Sequence, residues 1–144
     1  MNHLPPPSEA PLGAQRHRED TPAGRYAAPP GSAAEARDRV RELLVLAGVG
    51  LDSVTAADAL LVTSELVTNA IRHGYGVTAF QADLADDVLH LSVTDANPGL
   101  PAARTGTAGH PGGYGWPLIQ RLAAHVECSP RPDGKTITTS LRLR

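Results

Sequence analysis

The sequence predicts an α+β fold, a two-layer sandwich in which a mixed, mostly antiparallel sheet is covered on one face by helices. Helical patterns fill residues 32–73 and 116–126, and alternating strand patterns fill 78–95 and 136–143. The first strand region holds two strands with no helix between them, which indicates an antiparallel hairpin. The order helix, helix, strand, strand, loop, helix, strand, strand argues against a doubly wound sheet.

The first helix is predicted from its cap and its apolar spacing. Ser32 followed by Glu35 matches a capping box, and Gly48 or Gly50 is the expected end. The apolar residues recur at helical spacing: Ala36, Val40, Leu43, Leu44 and Ala47.

The second helix has both an apolar face and a polar stripe. Thr55 and Asp58 match a second capping box, and the glycines of residues 74–76 are expected to end the helix. Apolar residues cover more than half of its circumference. The remaining stripe advances in steps of four and consists of Glu65, Asn69 and His73. We interpret His73 as a structural residue at the helix end.

The strands are predicted from alternation. Asp86 and Asp87 form a tight turn between the first two strands. In the second strand, alternation places Asp95 on the same face as the apolar residues Leu89, Leu91 and Val93. The last strand alternates in the same way, with Ile137, Thr139, Leu141 and Leu143 on one face.

The 144 residues are enough for one domain and a tail. Residues 1–23 are rich in proline and charge and are expected to form a disordered N-terminal tail. Residues 24–144 are expected to form the folded domain, with a short edge strand at 24–28.

The composition excludes several classes of function. Net charge is −2, and the 13 Lys and Arg residues are scattered, so the concentrated basic face of a nucleic-acid-binding protein is missing. Cys128 is the only cysteine, which excludes an internal disulfide and a cysteine-rich zinc site. The N-terminus does not resemble a signal peptide, and no apolar run approaches the roughly 20 residues of a membrane span. We therefore expect a cytoplasmic protein that contacts neither a membrane nor nucleic acid directly.

Glu65 and Asn69 are the first candidate site residues, because a spacing of four places them side by side on a helix. An amide oxygen is a suitable Mg²⁺ ligand, and a carboxylate one turn away can accept a proton or orient a hydroxyl nucleophile. The alternative is that both simply line the solvated face of an amphipathic helix.

Asp95 is the second candidate, since its strand face is otherwise apolar. A buried carboxylate needs a hydrogen-bond donor, and the exocyclic amine of adenine would supply one. The alternative is a strand-end aspartate that turns the chain into residues 96–99. From the residues alone, both interpretations stand.

Glycines mark a third candidate region. Residues 96–112 form a long loop typical of a functional lid. Gly113 and Gly115 follow it at the start of a helical pattern, where backbone N–H groups can approach phosphates, although such a pair is also typical of a plain hinge. The P-loop-like residues 134–136 are rejected, because Ser129 stands where that motif needs glycine and a strand follows.

Four short motifs follow one another along the chain, and together they resemble those of a known family. Residues 65–73 resemble the N-box of the Bergerat-fold ATPases, the group that contains gyrase, heat-shock chaperones and sensor histidine kinases. Residues 95–101 and 112–119 resemble the two glycine boxes of these proteins, and residues 134–137 resemble their closing motif. Chain size and residues 64–73 are most similar to the anti-sigma-factor serine/threonine kinase branch, which has the histidine-kinase-like ATPase fold. The resemblance covers approximately residues 24–143.

The resemblance implies a role for each position. Glu65 would be the catalytic residue, and Asn69 would bind Mg²⁺ beside the ATP phosphates. Asp95 would bind the adenine amine with the support of Thr136. The glycines of the two boxes would contact the nucleotide: Gly99, Gly113 and Gly115.

The resemblance also implies a function. The protein would transfer the γ-phosphate of ATP to an antagonist protein and so control a sigma factor, and a homodimer is compatible with this role. The alternative is a nucleotide-binding module that sequesters a sigma factor or antagonist without kinase activity. The catalytic part of a two-component histidine kinase is disfavoured, because no helix pair with a phosphoacceptor histidine precedes the domain.

Overall fold

The computed structural model describes residues 28–99 and 115–144. They form three helices and four strands in the predicted order. These are α1 (Ala33–Leu46), α2 (Val54–His73), β1 (Val77–Ala85), β2 (Val88–Asp95), α3 (Gly115–Leu122), β3 (His125–Arg131) and β4 (Gly134–Arg142). The predicted tail, residues 24–27 of the predicted edge strand, and residues 100–114 with Gly113 lie outside the described residues.

Both ends of α1 are as predicted. The hydroxyl of Ser32 accepts a hydrogen bond from the N–H of Glu35, and the Glu35 carboxylate accepts one from the N–H of Gly31. At the other end Gly48 has a φ of 78°. The N–H groups of Gly48 and Val49 donate to the carbonyls of Val45 and Leu44, respectively, which is a Schellman motif.

The beginning of α2 differs from the prediction. Ser53, not Thr55, is the N-cap, and its hydroxyl accepts a hydrogen bond from the N–H of Ala56 at 3.1 Å. The backbone of Ser53 is extended, as an N-cap requires, and the helix therefore begins at Val54. Thr55 already lies in the first turn, so the second capping-box prediction was wrong.

The four strands form one sheet in the order β1-β2-β4-β3. All three pairings are antiparallel, so the sheet within the described residues contains no parallel pair. Asp86 and Asp87 both have positive φ, 55° and 64°, at the turn between β1 and β2. Positive φ at both central residues is the type I′ geometry that suits a two-residue hairpin, which confirms the predicted turn.

The predicted third helix was too long. It was expected to reach Val126, but α3 ends at Leu122 and β3 begins at His125. Ala124 donates its N–H to the carbonyl of Ser140, and His125 pairs with the same residue of β4. Without β3, the edge of β4 would have unpaired backbone N–H and C=O groups. The hydrogen bonds gained by pairing with β4 stabilise residues 125–126 as strand, although their apolar spacing is helical.

The core lies between the sheet and the helices. Alternate residues of β2 and β4 are buried, as the predicted one-sided sandwich requires. Contrary to the expectation that no segment approaches a membrane span, α2 is long and apolar enough, by length and composition, to cross a membrane. In this fold it packs against α1, α3 and the first two strands. Its buried residues are Ala56, Ala59, Val62, Thr63, Leu66, Val67 and Ala70.

Candidate functional site

Asp95 is the most buried of the predicted site residues whose burial the structure describes. It ends β2 with only 5% of its surface exposed, on the same face as the buried apolar residues of that strand. Its Oδ1 accepts a hydrogen bond from the N–H of Asn97 at 2.9 Å. Its Oδ2 lies 2.9 Å from Nζ of Lys135. Asp95 is therefore a buried carboxylate with a donor at each oxygen.

Lys135 contacts Asp95 and was not among the predicted site residues. It lies directly opposite Asp95 in the pairing of β2 with β4, and both side chains are 6% exposed. Its ammonium also donates to the carbonyl oxygen of Asn97 at 2.9 Å. The sequence signal was the alternation of β4, which places Lys135 on the same face as Ile137 and Thr139.

Thr136 faces away from this carboxylate. Because side chains alternate along a strand, Thr136 lies on the face of the sheet opposite Lys135. Its hydroxyl is 2.8 Å from the hydroxyl of Thr94, the residue it pairs with on β2. The structure thus places Lys135, rather than Thr136, beside Asp95.

Two glycines allow neighbouring elements to approach Asp95 closely. A Cβ atom at Gly74 would overlap the Asp95 side chain, and one at Gly134 would overlap its backbone carbonyl. These glycines end α2 and begin β4, so the carboxylate is packed between the two elements. No larger residue can occupy either position without displacing Asp95.

The end of α2 is bonded to the chain that follows β2. The carbonyl of Gly74 accepts the N–H of Ala96 at 2.9 Å, and the carbonyl of His73 accepts the side-chain amide of Asn97 at 2.6 Å. Asn69 lies one helical turn before His73. The structure therefore brings the polar stripe of α2 to the same end of the domain as Asp95.

Glu65 and Asn69 are both half-buried on α2, one turn apart. Neither side chain forms a hydrogen bond with another of the described residues. Nearby, the guanidinium of Arg37 on α1 donates to the hydroxyl of Ser64 at 2.9 Å, which joins the two helices beside Glu65. The amide oxygen of Asn69 is of the oxygen type that Mg²⁺ prefers as a ligand.

The remaining predicted residues are glycines. Gly99 donates its N–H to Oδ1 of Asn97 at 2.9 Å, which places it two residues from the Asp95 hydrogen bonds. Gly115 is the first residue of α3. Gly113 lies outside the described residues.

A surface groove elsewhere contains none of these residues. Its volume is about 450 Å³, and it is lined by Arg41, Glu42, Val45 and Leu46 of α1. The lining that the described residues supply is largely apolar and comes from α1, so we do not assign the groove to the candidate site.

The family comparison agrees with the fold. The model of the histidine kinase-like ATPase domain matches residues 26–141. The chain therefore belongs to the histidine kinase-like ATPase domain family. Domains of this family bind ATP, usually with Mg²⁺, which supports an ATP-binding regulatory function for this chain. A comparison with curated proteins finds no significant match.

Three of the solved structures that match this chain are of histidine kinases. The blue-light activated histidine kinase of Erythrobacter litoralis EL346 matches with a TM-score of 0.47 and 23% identity, over 62% of this chain and 30% of that one. The histidine kinase domain from the same protein matches with a TM-score of 0.49 and 20% identity, over 90% and 73%. The Acinetobacter baumannii histidine kinase AdeS matches with a TM-score of 0.50 and 12% identity, over 95% and 76%.

Proposed function

We propose that this protein is an ATP-dependent serine/threonine kinase of the anti-sigma regulatory type, which phosphorylates an antagonist protein. The observation that carries the proposal is the placement of Glu65 and Asn69. They lie one turn apart and half-buried on α2, whose end is hydrogen-bonded to the segment that follows Asp95. This arrangement supplies a carboxylate and a cation ligand on a helix whose end is bonded to the segment after Asp95, the candidate base-binding residue.

In this proposal Glu65 acts on the protein substrate. Its carboxylate orients the serine or threonine hydroxyl and accepts its proton, while the hydroxyl oxygen forms a bond to the γ-phosphorus. The bond between that phosphorus and the oxygen bridging to ADP breaks, and ADP leaves with the electron pair. Phosphoryl transfer depends mainly on positioning and charge stabilisation, so few protein groups are needed.

Asn69 would hold Mg²⁺ through its amide oxygen. When bound, Mg²⁺ would neutralise part of the charge of the ATP phosphates. Among the described residues no group of three His, Cys, Asp or Glu side chains could hold a metal by itself. Mg²⁺ usually keeps several water and phosphate ligands, and these would complete its coordination at Asn69.

The proposal extends to partners and location. The substrate would be an anti-sigma antagonist protein, and the regulated protein would be a sigma factor bound by the same domain, alone or as a homodimer. Such a protein would work in the cytoplasm, without direct contact to a membrane or to nucleic acid.

The test is transfer from γ-labelled ATP, with Mg²⁺ and the full chain, to candidate antagonist proteins encoded in the same genome. We expect label on serine or threonine, in an ester that survives acid. Label that is lost in acid would indicate a phosphohistidine and would contradict the proposed specificity.

The matched variant is Glu65→Gln, which keeps the size of the side chain and removes its charge. We expect ATP to bind as in the unmodified chain and transfer to fall by about 10²–10⁴-fold, the usual contribution of a general base. If the unmodified chain binds ATP and phosphorylates none of the candidates, the protein is instead a nucleotide-binding module that sequesters its partner.

A further inference from the structure

The ammonium of Lys135 has one more hydrogen-bond donor than it has acceptors in the described part of the chain. A protonated lysine carries three donors. Two of them are accounted for by Oδ2 of Asp95 and the carbonyl of Asn97, both at 2.9 Å. Because the side chain is only 6% exposed, solvent is a poor partner for the third. A buried donor without an acceptor is costly, so the position is suited to an acceptor from a ligand.

Asp95 has the complementary capacity. Each of its oxygens accepts one hydrogen bond, from Asn97 or from Lys135, whereas an ionised carboxylate offers about four acceptor sites. A hydrogen-bond acceptor and a donor therefore lie 2.9 Å apart on the same face of the sheet. Such a pair complements a ligand edge on which a donor and an acceptor are adjacent.

Adenine has such an edge, because its 6-amino group is a donor and its N1 is an acceptor. We propose that Lys135 is a base-binding residue that donates to N1 of adenine while Asp95 accepts from the 6-amino group. This inference rests on the proposed binding of ATP. It assigns to Lys135 the support of adenine recognition that the closing motif implied for Thr136, whose hydroxyl lies on the other face of the sheet.

Two other roles for Lys135 give different outcomes. If the lysine only neutralises Asp95, the N1 atom of the base has no influence on affinity. If the lysine instead occupies the base position and must leave before ATP binds, its removal strengthens binding. Both roles can be separated from direct contact by changing one atom of the nucleotide.

The experiment is calorimetric titration of the full, unmodified chain with ATP, 1-deaza-ATP and 7-deaza-ATP in the presence of Mg²⁺. The 1-deaza analogue keeps the amino group and lacks the N1 acceptor, and the 7-deaza analogue controls for the loss of a ring nitrogen elsewhere. We expect 1-deaza-ATP to bind about 10- to 100-fold more weakly than ATP, as for a lost hydrogen bond to a charged group. We expect 7-deaza-ATP to bind like ATP.

Equal affinities for ATP and 1-deaza-ATP would overturn the inference while leaving ATP binding intact. Absence of ATP binding would overturn both this inference and the proposed function. ATP binding with discrimination against 1-deaza-ATP, but without phosphate transfer, would contradict only the kinase activity.

A variant pair tests the same contact from the protein side. In Lys135→Met we expect the ratio of the two affinities to fall to about one, whereas Thr136→Val on the opposite face should keep it unchanged. Tighter ATP binding by Lys135→Met would overturn the inference in favour of a lysine that blocks the site. If Lys135→Met does not fold, the analogue comparison on the unmodified chain decides alone.

Discussion

A Cβ atom at Gly74 would lie 2.6 Å from the Cβ of Asp95. The φ of Gly74, −110°, is accessible to any residue, so backbone conformation does not require glycine at this helix end. Glycine is required because the Asp95 side chain lies too close to leave room for a Cβ atom. The helix end packs directly on the carboxylate that we assign to base binding. Changes at the end of α2 should accordingly affect the site as well as the stability of the fold.

Gly74→Ala should destabilise the protein by about 1–3 kcal/mol, the usual cost of forcing extra atoms into a packed region. It should also weaken ATP binding, since Asp95 must move to make room. The measurements are urea unfolding and calorimetry. Gly31→Ala is the control, because a Cβ there meets only ordinary contact at 3.7 Å from the Glu35 carboxylate. Equal stability of the two variants would contradict the close packing.

Thr136→Val should separate stability from binding. The variant loses the hydrogen bond to the Thr94 hydroxyl, which should cost about 0.5–1.5 kcal/mol in the free energy of unfolding. Its affinity for ATP should not change, because the hydroxyl lies on the face of the sheet away from Asp95. A loss of affinity beyond the error of calorimetry would return Thr136 to the base-binding residues.

The cap of α2 gives a prediction that concerns only the fold. Ser53→Ala removes the acceptor for the N–H of Ala56 and should cost about 1 kcal/mol in the free energy of unfolding. Thr55→Ala, within the first turn, should cost clearly less. Thermal or urea unfolding of both variants measures the difference. A larger loss for Thr55→Ala would place the helix start where the sequence analysis expected it.

Substitution of Asn69 should affect Mg²⁺-dependent ATP binding, whereas substitution of Glu65 should affect phosphate transfer. Asn69→Ala should abolish the dependence of ATP affinity on Mg²⁺, whereas Glu65→Gln should leave that dependence intact and slow only phosphate transfer. Titrations with and without Mg²⁺ measure the first effect. Ile71→Ala, an exposed position on the same helix, is the control. Unchanged Mg²⁺ dependence in Asn69→Ala would exclude the amide as a metal ligand.

Cys128 should report on the pH dependence of stability. Burial raises the pKa of its thiol, with a further increase from Asp95 and an opposing effect of Lys135. The folded state then favours the protonated thiol. This contribution is fully present below the unfolded-state pKa and is lost as the pH rises through the higher folded-state pKa. Unfolding free energies between about pH 8 and 10 should fall less steeply in Cys128→Ser than in the unmodified chain; identical slopes would contradict the shift.

The alternation of apolar and polar residues along the strands predicted much of this structure from the sequence. The burial of Asp95 among apolar residues follows from the period of two in β2, and the Asp86–Asp87 turn follows from the residues that tolerate positive φ. The polar stripe of α2 follows from its steps of four. These features depend on local chemistry, which the sequence contains directly.

The partner of Asp95 could not be predicted in the same way. Alternation places Lys135 on the buried face of β4, but only the register between β2 and β4 places it opposite Asp95. That register depends on contacts between residues about 40 positions apart. The end of α3 was missed for a related reason, because β3 is specified by its pairing with β4 rather than by its own apolar pattern.

Asn97 connects four parts of the candidate site through its hydrogen bonds. Its N–H is bonded to Asp95, its carbonyl to Lys135, its side-chain amide to His73 and its side-chain oxygen to Gly99. One residue thus couples the carboxylate, the ammonium, the end of α2 and the peptide that leads out of β2. A ligand that displaced the Asp95 carboxylate or the Lys135 ammonium would therefore also disturb the hydrogen bonds that Asn97 forms with His73 and Gly99.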